Sequence, residues 1–396
     1  MMPPMTGRDP EQERAAPLPE YQAAVAATGS AITAATGRPA SPRLSRHVVT
    51  LDDGHEVTVA VAGHGIPFVV VHGFMAEGFM YAQTLNRLVA LGYKVVAIDT
   101  AGHGGTEVLP DAERDFDAYV KLFARTLDRL GIRHAVFTGH SMGGRVVAEL
   151  AAENPDRAVA LLLLDPILGG PWDRLVTRAR AFPPLLGWMG LLIALDTAST
   201  FPLLRDRGQA RKLARLLVPT IVRHVRRPWH LLAPAVAILR SGSSQVLLER
   251  IREHGTPTII VHGERDYVVP LATARDAAER SGGHLVLVHG ASHSWCLKDP
   301  ETLPAVVEAL WDGPLGRAYD DALAHHGVAP DAPIDEIEAA FYDREALVLA
   351  LTPDLRFERA DEHAHEPRYR FSVVDAGDGT SAAVGDGNGD SPVAVA

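Results

Sequence analysis

A chain of 396 residues can hold one large domain with additions or two domains, and its 47% hydrophobic and 22% charged residues are ordinary for a globular protein. A formal charge of −11 argues against a nucleic-acid binder, and a single cysteine, Cys296, cannot form an internal disulfide. No run reaches the roughly 18–20 apolar residues that cross a bilayer, the longest candidate being Leu185 to Leu195.

Residues 1–44, rich in Pro, Ala and Gly, read as a flexible extension. Asp9, Glu11, Glu13 and Glu20 fall where a secretory signal would need an uninterrupted apolar core, so a cytoplasmic protein is expected. His47–Thr50 and Glu56–Val61 are predicted as an antiparallel pair joined through Asp53-Gly54. Phe68–Val71, Val95–Ile98, Ala135–Thr138, Val159–Leu164, Thr258–Val261 and Leu285–Val288 are short apolar runs, as in strands covered on both faces. Helical spacing falls at Phe79–Leu91, Phe116–Leu130, Met142–Ala152, Leu271–Arg280 and Glu301–Trp311. This alternation predicts an α/β fold, a mostly parallel, eight-stranded, doubly wound sheet with helices on both faces. Its core would be residues 45–166 and 251–315, interrupted by a helical insertion at 167–250. Residues 316–352 read as a further helical extension, and the acidic, then Gly-rich residues 353–396 as a disordered tail.

The chemistry concentrates at Val136–Arg145. An apolar strand ends in Gly139-His140-Ser141-Met142-Gly143, and a helical pattern follows at once. This is G-x-S-x-G at a strand-to-helix turn, where the serine is held in a strained conformation with its hydroxyl presented. Three more motifs follow strands of their own: Val70-Val71-His72-Gly73-Phe74, Gly263-Glu264-Arg265-Asp266, and Gly290-Ala291-Ser292-His293.

Together these motifs resemble the α/β-hydrolase fold family over about residues 45–312, in the family's chain order of Ser, then Asp, then His. The resemblance implies Ser141 as nucleophile, His293 as general base and Asp266 as the acid that orients it. It also implies an oxyanion hole from the backbone N–H groups of Phe74 and Met142, such donors being worth about 3–4 kcal/mol each. Asp165, in Leu164-Asp165-Pro166, ranks second as the acid. His72, His140 and His262 read as shaping or packing residues. Asp99–Thr106, with Gly102, Gly104 and Gly105, reads as a structural loop beside the site, since it lacks the Lys-Ser/Thr ending of a phosphate cradle. No cofactor is implied, and no His/Cys/Asp cluster has metal-ligand spacing.

The insertion at 167–250 stands where the family places a lid. It carries thirteen Arg and Lys against four Asp and Glu, with Trp172, Phe182, Trp188, Phe201 and Trp229 among its apolar residues. Such a surface either lies peripherally on anionic membrane or packs its apolar face on the main domain; under both readings the pocket below it is apolar. The expected partner is therefore a small apolar ester or lipid, cleaved through an acyl-enzyme. A carbon–carbon bond hydrolase or lyase, a cofactor-free perhydrolase or haloperoxidase, and a catalytically silent binding protein are the competing readings.

Overall fold

Short β-branched runs and longer amphipathic stretches alternate through the body, and each takes the element its period dictates. The computed structural model describes residues 40–110, 115–200, 207–351, 354–357, 366–374 and 381–383. The first half comprises β1 (Ala40–Arg43), β2 (Ser45–Thr50), β3 (Glu56–Ala62), β4 (Pro67–Val71), α1 (Ala82–Ala90), β5 (Lys94–Ile98), α2 (Phe116–Leu130), β6 (Ala135–His140), α3 (Met142–Glu153) and β7 (Ala158–Leu164). The insertion then supplies α4 (Gly170–Ala181), α5 (Pro184–Ser199), α6 (Arg207–Arg226), α7 (Leu232–Arg240) and α8 (Gln245–Glu253). The body resumes with β8 (Thr258–Gly263), α9 (Leu271–Ser281), β9 (His284–Val288), α10 (Trp295–Lys298) and α11 (Thr302–Trp311). Beyond it lie α12 (Pro314–His325), α13 (Ile334–Phe341), α14 (Leu347–Ala350), β10 (Asp354–Phe357), β11 (Phe371–Val374) and β12 (Ser381–Ala383).

The main sheet has the order β12-β11-β9-β8-β7-β6-β4-β5-β3-β2. Neighbours from β5 through β4, β6, β7 and β8 to β9 run parallel, whereas β2, β3, β11 and β12 pair antiparallel. The parallel strands are covered on both faces: Leu161, Leu162 and Leu163 of β7, and Phe68 and Val69 of β4, have no exposed surface. Full burial of each such side chain contributes about 1.5–3 kcal/mol. The chain leaves β4 toward β5 on one side and returns as β6 on the other. A crevice therefore opens at the carboxyl ends of β4 and β6, where open α/β sheets place their ligands.

The eight predicted strands are present, but the sheet is ten-stranded among the described residues, because β11 and β12 extend it beyond β9. Of residues 353–396, expected as a disordered tail, Asp354–Phe357, Phe371–Val374 and Ser381–Ala383 form strands, and much of the remainder lies outside the described residues. Phe371-Ser-Val-Val is a β-branched run that covers the otherwise open hydrogen-bonding edge of β9, and β10 pairs with β1 inside the expected N-terminal extension. The average composition of the segment hides these short runs. At the end of the insertion, α8 buries Leu248 and Ile251 against the body.

Candidate active site

The turn after β6 is tight because glycines permit it. A Cβ on Gly139 would meet the carbonyl of Gly143 at 2.3 Å, and one on Gly143 would meet that of Val71 at 2.2 Å. Ser141 takes φ 53° and ψ −113°, a left-handed conformation costing about 1–3 kcal/mol for a residue with a side chain. The surroundings hold it there: its N–H donates to Leu164 O at 2.8 Å, and its carbonyl accepts from Ile167 N at 3.3 Å. Ser141 so caps the positive end of α3.

The histidine and the acid arrive from neighbouring strand ends. His293 Nδ1–H donates to Asp266 Oδ2 at 2.7 Å, and Asp266 Oδ1 accepts from the N–H groups of Val268 and Val269 at 2.7 and 2.8 Å. Burial alone would lower the His293 pKa, but the Asp266 carboxylate and its hydrogen bond lift it to about 9. Burial likewise works to raise Asp266, yet the His293 charge holds its carboxyl below the usual range. Ser141 is joined to this pair through its neighbour. His140 Nε2–H donates to the His293 carbonyl at 3.1 Å, while His140 Nδ1 accepts from Tyr81 Oη at 2.8 Å. Burial pushes His140 down to about 3, so it stays neutral and serves as a brace. Among the described residues no hydrogen bond joins the Ser141 hydroxyl to the His293 ring. Such contacts commonly tighten only once substrate is present.

Asp165 makes contacts different from those of Asp266. Its side chain is fully buried, with Oδ1 accepting from Gly263 N at 2.8 Å and Oδ2 from Trp295 Nε1 at 2.7 Å. It thereby ties the loop of Asp266 to the loop of His293. Burial and the nearby Asp266 charge push its pKa well up. Its φ of 45° puts it in the left-handed region that few residues with a side chain adopt. His262 stands between the two acids: its Nε2–H donates to Val269 O at 3.0 Å and its Nδ1 faces Asp165 Oδ1 at 3.3 Å.

The loop after β4 closes the other side. His72 Nδ1–H donates to Gly73 O at 2.8 Å and His72 Nε2 accepts from Thr100 N at 3.0 Å, so the ring is a neutral strut. Gly73 lies so near the turn that an added Cβ would sit 2.7 Å from His140 Nδ1 and 3.3 Å from Ser141 Cβ. The loop at Asp99–Thr106 supports this arrangement, since Asp99 accepts from Gly78 N at 2.6 Å and His103 Nε2 from Met75 N at 3.3 Å. Phe74 follows Gly73 in this loop, and Met142 is the first residue of α3.

Two groups of side chains have the proximity of metal ligands, His140–Asp165–His293 and Asp165–His262–Asp266. Most of their donor atoms are already engaged in the hydrogen bonds above, including both ring nitrogens of His140 and both oxygens of Asp165. That accounts for the clustering as a bonded network.

Sequence reasoning missed four participants. Tyr81 sits in an apolar stretch, where nothing marks its hydroxyl. Glu77 is buried between Arg46 and Arg223, 2.6 Å from each, which fastens α6 to the loop after β4. His224 of α6 reaches Met75 O at 3.1 Å, and Asp196 of α5 accepts from Ser294 N at 2.9 Å, next to His293. These are contacts between segments more than 90 residues apart in the chain, which no local pattern encodes.

With this geometry in hand, residues 68–306 match the model of the alpha/beta hydrolase family. The chain is 33% identical over 269 residues to a putative non-heme haloperoxidase of a Mycobacterium phage, covering 65% of this chain and 92% of that protein. It is 25% identical over 240 residues to a monoacylglycerol lipase of Mycolicibacterium smegmatis, covering 59% of this chain and 82% of the lipase. Among solved structures, an esterase from a Rhodococcus species superposes with a TM-score of 0.53 at 22% identity, covering 68% of this chain and 98% of the esterase.

Proposed function

The chain belongs to the alpha/beta hydrolase family, and on that premise we propose that it is a serine hydrolase cleaving carboxylic esters of apolar substrates through an acyl-enzyme. The observation that carries the reading is the His293–Asp266 hydrogen bond of 2.7 Å, set beside a left-handed serine at a helix N-terminus. In this reading the Ser141 hydroxyl attacks the ester carbonyl while His293 Nε2 takes its proton. Asp266 holds the imidazole tautomer and stabilises the imidazolium. The carbonyl oxygen, now negative, accepts from the N–H groups of Phe74 and Met142. Collapse expels the alcohol, which takes the proton from His293, and water activated by the same histidine releases the acid. The rate requires neutral His293.

Support for an apolar substrate comes from the insertion over the site and from a relative named as a lipase. The proposal includes α5 and α6 as the lid of that site. Fluorophosphonate labelling tests the nucleophile: wild type is expected to label and Ser141→Ala not, and labelling that survives the substitution would overturn it. An ester panel of rising acyl length tests the pocket, with octanoyl favoured over acetyl.

A second reading is kept because relatives are named haloperoxidases. Hydrogen peroxide in place of water would attack the same acyl-enzyme, giving a peracid and free Ser141. Peracid formation from ester and peroxide faster than ester hydrolysis would select this reading, with no change in residue roles.

A further inference from the structure

From Pro184 to Leu195, helix α5 is apolar on every face, yet none of its 16 residues is buried by the described molecule. A helix of that composition belongs in a protein core or against lipid. Met189, Leu192 and Ile193 rest half-buried on the body, while Trp188, Leu191 and Leu195 stand 57%, 47% and 57% exposed. Helix α6 repeats the pattern with Val218, Ile221 and Val225, and Trp229 follows it. Ten of the sixteen large apolar side chains exposed among the described residues lie between Phe182 and Leu232, so the exposure is concentrated rather than scattered.

The charge of this stretch is mainly positive. Arg178, Arg215, Arg226 and Arg227 are exposed, and the stretch from Ala181 to Leu248 contains only two acids, Asp196 and Asp206. Asp196 is turned inward onto Ser294 N at 2.9 Å. A twofold contact with a second copy would set this arginine-bearing surface against itself. Apolar side chains flanked by arginine instead match acyl chains beneath anionic headgroups.

We propose that the outer face of α5 and α6 is a docking surface for an anionic lipid bilayer, with Trp188, Leu191 and Leu195 entering the acyl boundary and Arg226 and Arg227 meeting headgroups. At 16 residues α5 is about 24 Å long, less than the roughly 30 Å hydrocarbon core, so it lies along the interface and does not span it. No single helix among the described residues is long and apolar enough to cross a membrane. The docked helices are the ones fastened beside the site, through Asp196 to Ser294, His224 to Met75 and Arg223 to Glu77. Docking would therefore bring the crevice to the lipid surface. Only this last use, delivery of an apolar ester, rests on the esterase reading.

The test uses the full chain carrying Ser141→Ala, sedimented with phosphatidylglycerol/phosphatidylcholine vesicles or with phosphatidylcholine alone at low salt. Binding to the anionic vesicles is expected to be at least about tenfold tighter, with a blue shift of tryptophan emission that Trp188→Phe diminishes. Leu191→Asp with Leu195→Asp should weaken binding by about tenfold or more, and Arg226→Glu with Arg227→Glu should remove the preference for anionic lipid. Circular dichroism and Tm establish that each variant is folded. Absence of binding to anionic vesicles, or equal binding by a folded Leu191→Asp/Leu195→Asp variant, would overturn the proposal. A dimer in light scattering that Leu191→Asp dissociates, without vesicle binding, would assign the face to a second copy and overturn it too. Because the protein tested carries no Ser141 hydroxyl, failure of the esterase reading leaves this result standing, and failure here leaves that reading intact.

Discussion

The floor of the crevice and the helices above it are built on opposite principles. Around Ser141, backbone approaches so closely that a single added Cβ at Gly143 would come 2.2 Å from a carbonyl, and Tyr81, His140, His293 and Asp266 form one hydrogen-bonded chain. In α5 no side chain is fully buried, Met189, Leu192 and Ile193 being half-buried on the body; α6 buries Leu217, Thr220 and His224, and both helices meet the loops beside the site through a few polar contacts. The floor has one arrangement held by many constraints; the helices above have few constraints and much apolar surface. Accurate chemistry needs the first, and on the proposed esterase reading the second would serve admission of a bulky apolar substrate.

If that contrast is right, substitutions in the floor should be severe and those in α5 mild. The largest effect is expected at Asp266: Asp266→Asn should lower kcat by about 10⁴-fold, since it leaves the shape and spoils the His293 tautomer. Steady-state kinetics check this, with Asp165→Asn as the comparison. That variant should lose much less kcat but about 1–3 kcal/mol of stability, because an amide cannot accept from both Gly263 and Trp295. A reversed order in kcat would make Asp165 the working acid.

Next is Gly143→Ala, expected to cost about 3 kcal/mol or more and to lower Tm sharply in calorimetry, through the clash with Val71. A Tm equal to wild type would mean the turn is looser than described.

The pH response should be intermediate. His293 holds its proton to about 9 when folded, against 6.5 for the unshifted group. General-base activity needs the neutral ring, so kcat/KM should rise with pH and level off above about 9. Stability runs the other way: the raised pKa stabilises the fold fully below 6.5, and that contribution is lost as pH rises through about 9. Tm measured across this window should fall in wild type and fall less in Asp266→Asn. The smallest effect is expected at Leu191→Ala, where exposed surface is trimmed and chemical denaturation should report a change within about 0.5 kcal/mol.

What the sequence disclosed follows the same division. The eight body strands, the glycine-flanked serine and the order of Asp266 and His293 were legible because each is written locally, as a run of β-branched residues or a glycine turn at a strand end. Asp165 was legible as an acid near the site but not as a tie between two loops, since its partners Gly263 and Trp295 are 98 and 130 residues away. Tyr81 carries no polar pattern around it. Strand β11 was lost in a composition dominated by Gly and Asp. The exposure of α5 could not be read either, because an apolar helix has the same sequence whether protein or lipid covers it.

The bond from His140 to the His293 carbonyl has a further consequence. The residue next to Ser141 grips the backbone of His293, and the other side of that ring is held by Tyr81. The backbones at Ser141 and His293 are thereby tied together while the β6 turn survives. On heating, loss of turnover should coincide with global melting of the body, and a protein warmed to just below that transition and cooled again should recover its full rate.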